Sequence, residues 1–324
     1  MKVLKFFAFF LLILTIITGI FLYKKPIPID VVNARYTSPS SQFMIMENGS
    51  RIHYRDEGKR RGETILLLHG SNASLHTWEP WVEFLGDEYR VVTLDLPGHG
   101  LTGAVPDKDY TTGAQLKVLG AVVEHLALPD FILGGNSMGG GVSWRYALSH
   151  HNKVKALILI DAVGLPEWQH AAGKKNTPLV FKLMAQSWFR LIAVKLDSYY
   201  LVKWGVEAAY NNSPVVTDEL IMRYYELLLR RGTRHAAVTR YSSIEQSNGV
   251  TYDLSKITQP ALILWGEEDS FVPLETAHRF TKVMPNTRLV TFAGVGHIPM
   301  EEAPEKSAKS VLKFLQEVLP YNQE

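Results

Sequence analysis

The amino-acid sequence predicts an α/β protein: a mostly parallel, eight-stranded sheet with helices on both faces and a helical cap insertion. Two observations predict it. Short apolar runs of strand length alternate with longer stretches of helical periodicity, the pattern of a sheet covered on both faces. The alternation breaks once. Between Ala162 and about Lys256 there is no strong strand, only helix-like runs rich in aromatics.

Taken in order, Phe43–Glu47 and Arg51–Asp56 read as strands joined at Asn48-Gly49, a hairpin signal. Ile65–Leu68 is a short apolar strand. A helix-like stretch over Glu79–Leu85 precedes the strand Arg90–Asp95. Over Gly113–Leu126, the residues Leu116, Leu119, Val122, Val123 and Leu126 fall on one side of a helix. Phe131–Gly134 is a strand, Met138–Ser149 a helix and Lys155–Ile160 a strand. In the insertion, Phe181, Leu183, Met184, Trp188, Phe189, Leu191 and Ile192 crowd one helical run, and Tyr224, Tyr225 and Leu227 to Leu229 another. Ala261–Trp265 and Arg288–Phe292 are strands on either side of a helical stretch. Glu305–Leu319 closes the chain as an amphipathic helix. The core is therefore expected over 41–162 and 257–324, and the cap over 163–256.

With 324 residues, 46% of them hydrophobic and 20% charged, the chain can bury a sizeable core. A net charge of +2 gives no electrostatic reason to expect nucleic acid as a partner. The absence of cysteine excludes disulfides, thiol catalysis and cysteine metal sites. Nothing in the sequence sets an oligomeric state. Residues 26–40, with Pro26, Pro28 and Pro39, read as a linker.

From Phe6 to Tyr23 no residue is charged. As a helix, ~18 residues would span ~27 Å, near the ~30 Å hydrocarbon core of a bilayer. Lys2 and Lys5 precede the run; Lys24 and Lys25 come after it. The expectation is a single-pass membrane anchor over 1–25, with the catalytic body on the extracytoplasmic side because positive charge is slightly in excess at the N-terminus. A cleaved signal peptide is the competing reading, although small residues are scarce just after the apolar run.

Gly135-Asn136-Ser137-Met138-Gly139 lies between a strand and a helix. A serine on a sharp strand-to-helix turn projects from the sheet edge, and small residues two positions away let the chain bend that tightly. Free N–H groups at the helix start can hold developing negative charge. A glycine-rich turn with a solvated serine is the plain alternative. A serine hydroxyl also needs a base. Among eleven histidines, His297 sits in a loop, Gly294-Val295-Gly296-His297-Ile298-Pro299, where an imidazole can reach a cleft. His69 and His99 occupy turn sequences and read as structural; His150, His151 and His170 read as solvated. The base in turn needs a carboxylate to fix its tautomer. Asp269 and Asp161 both come after strands, and Asp269 is favoured. Asp95 precedes a turn sequence, and Glu267 and Glu268 are neighbours that could stand in. No H-E-x-x-H is present, so neither a metal nor another cofactor is expected.

These motifs resemble those of the α/β-hydrolase family over residues 41–320. His69-Gly70-Ser71 resembles its oxyanion loop and Asp95-Leu96-Pro97-Gly98-His99-Gly100 its D-x-P-G-x-G turn. Gly135 to Gly140 resembles its nucleophile elbow. Gly266-Glu267-Glu268-Asp269 with Pro273 resembles the acid loop, and Gly296-His297-Ile298-Pro299 the histidine loop. The resemblance implies that Ser137 attacks, His297 takes its proton and Asp269 orients His297. It implies an oxyanion hole made by the backbone N–H groups of Ser71 and Met138. A serine at the elbow disfavours the dehalogenase and epoxide hydrolase branches, whose nucleophile is aspartate.

The first functional expectation is a membrane-associated serine carboxylesterase or lipase, with an ester or lipid substrate held against cap aromatics such as Trp188, Phe189, Tyr199, Tyr200 and Trp204. The second is a carbon–carbon bond hydrolase of vinylogous diketones, whose elbow this one resembles. Those enzymes often carry a tryptophan soon after the histidine, where this chain has Ile298-Pro299-Met300. Lactonase and thioesterase activities use the same machinery. A non-catalytic binding protein on this fold is the remaining class, and it usually lacks a triad member.

Overall fold

Strand-length apolar runs become the centre of the sheet. In the computed structural model, residues 22–165, 186–246 and 252–319 are described, without the side chains of 241–246. The strands are β1 (Ser41–Ile45), β2 (Arg51–Gly58), β3 (Thr64–Leu68), β4 (Arg90–Leu94), β5 (Phe131–Asn136), β6 (Val154–Ile160), β7 (Ala261–Gly266) and β8 (Thr287–Phe292). Their order is β1-β2-β4-β3-β5-β6-β7-β8. The β1–β2 and β2–β4 pairs are antiparallel and the remaining pairs parallel. This is the expected mostly parallel eight-stranded sheet.

Side chains alternate across a strand, so a strand buried on both faces must be apolar throughout. β3 shows it. Leu66 and Leu68 join one core cluster with Leu133, Leu157 and Trp144. Ile65 and Leu67 join the other with Ile132, Ile158, Trp78 and Trp81.

In chain order the described α-helices are α1 (Ile29–Tyr36), α2 (Glu79–Leu85), α3 (Thr112–His125), α4 (Met138–Ser149), α5 (Ser187–Ala193), α6 (Tyr199–Ala209), α7 (Asp218–Leu229), α8 (Thr233–Gln246), α9 (Glu275–Val283), α10 (Pro299–Glu302) and α11 (Pro304–Val318). Helices α5 to α8 lie in the interval between β6 and β7 where no strand was expected. The C-terminus of α6 rests on the far loops of the sheet: the Ala209 carbonyl accepts the His297 N–H at 2.7 Å and the Ala208 carbonyl accepts the Ser270 hydroxyl at 3.2 Å. Trp188, Tyr200 and Trp204 are exposed, whereas Tyr199 packs against the core. Phe181, Leu183, Met184 and His170 lie outside the described residues.

The N-terminal expectation needs correction. Among the described residues, no helix is long and apolar enough to cross a membrane. That finding leaves the single-pass anchor, the membrane partnership and the extracytoplasmic placement without support. Most of the apolar run on which they rested, residues 6–21, lies outside the described residues. The end of that run and the residues after it dock on the cap. Tyr23 bridges Leu196, Ile27 bridges Arg230, and Arg234 Nη2 donates to the Lys24 carbonyl at 2.7 Å. Residues 26–40, read as a linker, carry α1. Its Val32 is buried with Leu101 and Leu227, and the Tyr36 hydroxyl donates to Glu226 at 2.8 Å.

Candidate active site

Ser137 stands where β5 turns into α4, with φ 51° and ψ −114°. A non-glycine residue holds such a conformation only when its surroundings enforce it. They do so here through close backbone approaches. A Cβ on Gly135 would come within 2.4 Å of the Gly139 backbone, and one on Gly139 within 2.2 Å of the Leu68 carbonyl. The Ser137 N–H donates to the Ile160 carbonyl at 2.9 Å, and its own carbonyl accepts from Gly141 and Val163. The turn is thus tied to both neighbouring strands, and Ser137 is only 8% exposed.

His297 comes after β8. Its Nδ1 lies 2.7 Å from Asp269 Oδ2, so Nδ1 carries the proton and Nε2 is left able to accept one. Asp269 is fixed in turn, because its Oδ1 accepts the N–H groups of Phe271 at 2.7 Å and Val272 at 3.0 Å. The histidine loop is joined to the elbow by Asn136, whose Nδ2 donates to the His297 carbonyl at 3.0 Å. Glu302 holds the same loop from behind, accepting from the N–H groups of Gly296 and Ile298. Burial pushes its carboxyl above the usual range.

The rival acid, Asp161, is not remote. It ends β6 with φ 45° and is fully buried. Its Oδ1 accepts from Gly266 N–H at 3.0 Å, while Oδ2 has no hydrogen-bond partner. Atoms of Asp161, Asp269 and His297 lie within 4.8 Å of one another. Two carboxylates that close in a buried place do not both ionise. Burial first, and then the Asp269 charge, push the Asp161 carboxyl well above its usual range. Asp269 therefore bears the charge that faces His297. These three residues are also the cluster among the described residues whose ligand atoms could converge on a cation, although His297 Nδ1 and Asp269 are already committed to each other.

The loop after β3 runs beside Ser137. A Cβ on Gly70 would sit 3.3 Å from Ser137 Cβ. Among the described residues, neither the Ser71 nor the Met138 N–H has a hydrogen-bond partner. Two donors are therefore free on the two chain segments that flank Ser137. Beneath them the D-x-P-G-x-G turn is fully bonded. The Asp95 carboxylate accepts from Leu75 and Leu101, each at 2.8 Å. The Leu96 N–H donates to His69 Nε2 at 3.0 Å, and His69 Nδ1 donates to the Gly70 carbonyl at 2.7 Å. Burial keeps His69 and His99 below the usual imidazole range, so both are neutral structural groups.

Sequence reasoning missed Arg240, on α8. Its Nη2 donates to Ser71 Oγ at 3.0 Å and to Asn72 Oδ1 at 2.7 Å, and its Nη1 meets His99 Nε2. Glu302 was also missed, although a carboxylate a few residues past a glycine-flanked histidine is a readable signal.

The family described as alpha/beta hydrolase fold matches residues 63–304. The chain is 28% identical over 296 residues to a 2-hydroxy-6-oxononadienedioate/2-hydroxy-6-oxononatrienedioate hydrolase of Burkholderia vietnamiensis, covering 88% of this chain and 99% of that protein. It is 26% identical over 277 residues to Lipase 1 of Psychrobacter immobilis, covering 84% and 82%. A solved serine hydrolase involved in carbazole degradation superposes with a TM-score of 0.70 at 25% identity, covering 85% of this chain and 98% of that one.

Proposed function

Because the chain belongs to the alpha/beta hydrolase fold family and is a hydrolase, we propose that it works as a serine hydrolase with Ser137 as nucleophile, His297 as base and Asp269 as orienting acid, and that the bond it cleaves is a carbon–carbon bond next to a ketone in a vinylogous diketone acid. Ser137 Oγ adds to the ketone carbon as its proton passes to His297 Nε2. With the leaving part of the substrate in its keto form, the carbon–carbon bond then breaks, its electron pair passes into the conjugated ketone of the leaving fragment, and the dienolate so formed takes a proton from His297. Water releases the acyl group from Ser137 by the same base. The backbone N–H groups of Ser71 and Met138 hold the carbonyl oxygen as it gains charge, each contributing about 3 kcal/mol of barrier lowering.

One observation carries the choice of bond: the match to the dienedioate hydrolase spans 99% of that protein, against 82% for the lipase. The lipase match favours a second reading, carboxylic ester hydrolysis with the same residues. A panel of a ring-fission diketone acid, p-nitrophenyl esters of graded chain length and a lactone separates the two. The diketone is expected to give the highest kcat/KM, and Ser137→Ala to lose turnover of every substrate and labelling by a fluorophosphonate. Esters turned over faster than the diketone establish the second reading. An active Ser137→Ala protein overturns both.

A further inference from the structure

Among the described residues, Arg240 is a buried cation without an anion. It is 5% exposed, its Nε has no hydrogen-bond partner, and its three acceptors, Ser71 Oγ, Asn72 Oδ1 and His99 Nε2, are all neutral. His99 is neutral because its Nδ1 must donate to the Pro97 carbonyl at 2.9 Å, which leaves Nε2 to accept. Burial lowers the guanidinium to about 10, and it stays charged at neutral pH. An uncompensated charge in a low-dielectric place is costly, and a group that has one invites an account of what offsets it.

The hydrogen bond to Ser71 supplies that account. Arginine only donates, so Ser71 Oγ accepts from Nη2 and its own proton must point elsewhere. Ser71 is exposed and comes directly after Gly70, which lies against Ser137 Cβ. Asn72, the other acceptor, holds a positive φ of 61°, a local conformation that the bond to Arg240 helps to fix. Resting on the Ser137 reading, we propose that the Ser71 hydroxyl is a third donor to the substrate oxyanion, aimed and polarised by Arg240, which is a positioning residue supplied by the cap. The negative charge that offsets Arg240 then exists only while the oxyanion does, so the benefit falls on the transition state and not on substrate binding. Seating of α8 on the oxyanion loop becomes a condition for turnover.

The test uses the full chain with p-nitrophenyl acetate, and Ser71→Ala, Ser71→Thr, Arg240→Met and Arg240→Lys beside Ser137→Ala. Ser71→Ala is expected to lower kcat by about 10²-fold with KM within about twofold. Ser71→Thr, which keeps the hydroxyl, restores most of it. Arg240→Met lowers kcat to a similar extent, and the double variant Ser71→Ala/Arg240→Met falls no further, because both remove one interaction. Arg240→Lys recovers part of the loss. Wild-type kcat in Ser71→Ala while Ser137→Ala is inactive overturns the proposal and leaves the Ser137 reading intact. Multiplicative losses in the double variant separate Arg240 from Ser71 and overturn the relay. Activity in Ser137→Ala overturns the underlying reading. Because Ser71 is exposed, its variants stay informative even if Arg240→Met does not fold.

Discussion

His53 and His297 each present Nδ1 to a buried carboxylate, His53 to Asp95 at 2.6 Å and His297 to Asp269 at 2.7 Å. The likeness goes further, since His53 Nε2 lies 2.9 Å from Ser41 Oγ. Ser41, His53 and Asp95 thus repeat the composition and spacing of a catalytic triad in a second part of the sheet. The surroundings differ. Ser41 opens an ordinary strand and already accepts the Ser38 N–H at 3.0 Å, with no helix start behind it. The His53 and Asp95 side chains are fully buried, and Asp95 also holds two loop N–H groups. Ser137 instead sits at a helix N-terminus between two N–H groups that have no partner among the described residues. An Asp–His–Ser line by itself fixes three elements together. It becomes a candidate site where the serine stands on a strained turn at a helix start, beside free N–H donors.

The same substitution in the two aspartates is the sharpest way to break this comparison. Asp269→Asn is expected to lower kcat by about 10⁴-fold through the wrong histidine tautomer, with little change in stability. Asp95→Asn is expected to cost about 3–5 kcal/mol of stability, because it removes one partner of a buried pair. Urea midpoints and turnover, measured on both proteins, separate the two effects. Ser41→Ala should keep kcat within about twofold. A Ser41→Ala protein without activity would mean that the two lines had been assigned the wrong way round.

Acid should weaken the contact that ties α1 to the core. Burial lowers His76 to about 4, and its Nε2 donates to the Tyr36 carbonyl at 2.9 Å, tying α1 to the core. In the unfolded chain the same imidazole titrates near ~6.5. The unfolded state therefore binds a proton that the fold refuses. The contribution is fully present above that pH and is lost as pH falls from ~6.5 toward 4, up to about 3 kcal/mol. Asp95 adds a second loss at lower pH. Burial opposes its charge, but His53, His69 and His76 hold its carboxyl below the usual range, so its share vanishes as pH drops below ~4. Urea midpoints at pH 8, 6 and 4.5 should fall in that order, and His76→Gln should flatten the slope between the last two. An unchanged slope would remove His76 from the account.

The range of each interaction decided how much of this was legible in the sequence. The helices Glu79–Leu85 and Met138–Ser149 begin and end where their periodicity and flanking turns place them, because local pattern decides them. Asp269 and His297 could be paired before any coordinates, because each comes after a strand and strand ends converge on one edge of a parallel sheet. Helix α1 was hidden by its prolines. Pro28, just before Ile29, is compatible with a helix start as much as with a linker, and only the burial of Val32 against Leu101 and Leu227 decides. Arg240 carried no signal, since its partners Ser71 and His99 lie 169 and 141 residues away and meet it only once the cap is seated.

The smallest effect concerns Asp161, the carboxylate that the sequence placed second to Asp269. Asp161 is raised well above its usual range by burial and by Asp269, while the unfolded chain ionises it near ~3.9. A raised folded value means that this group favours the fold most at low pH, and that the advantage is lost as pH rises through the folded value. Asparagine has no proton to lose, and its amide can replace the carboxyl proton beside Asp269. Asp161→Asn should therefore melt near the wild-type temperature at pH 4 and above it at pH 8, by a few degrees at about 2–4 °C per kcal/mol. Its kcat should stay within about threefold, because Asp269 alone faces His297 Nδ1 at 2.7 Å. A 10⁴-fold loss in Asp161→Asn, with Asp269→Asn active, would exchange the two roles and move the acid from the end of β7 to the end of β6.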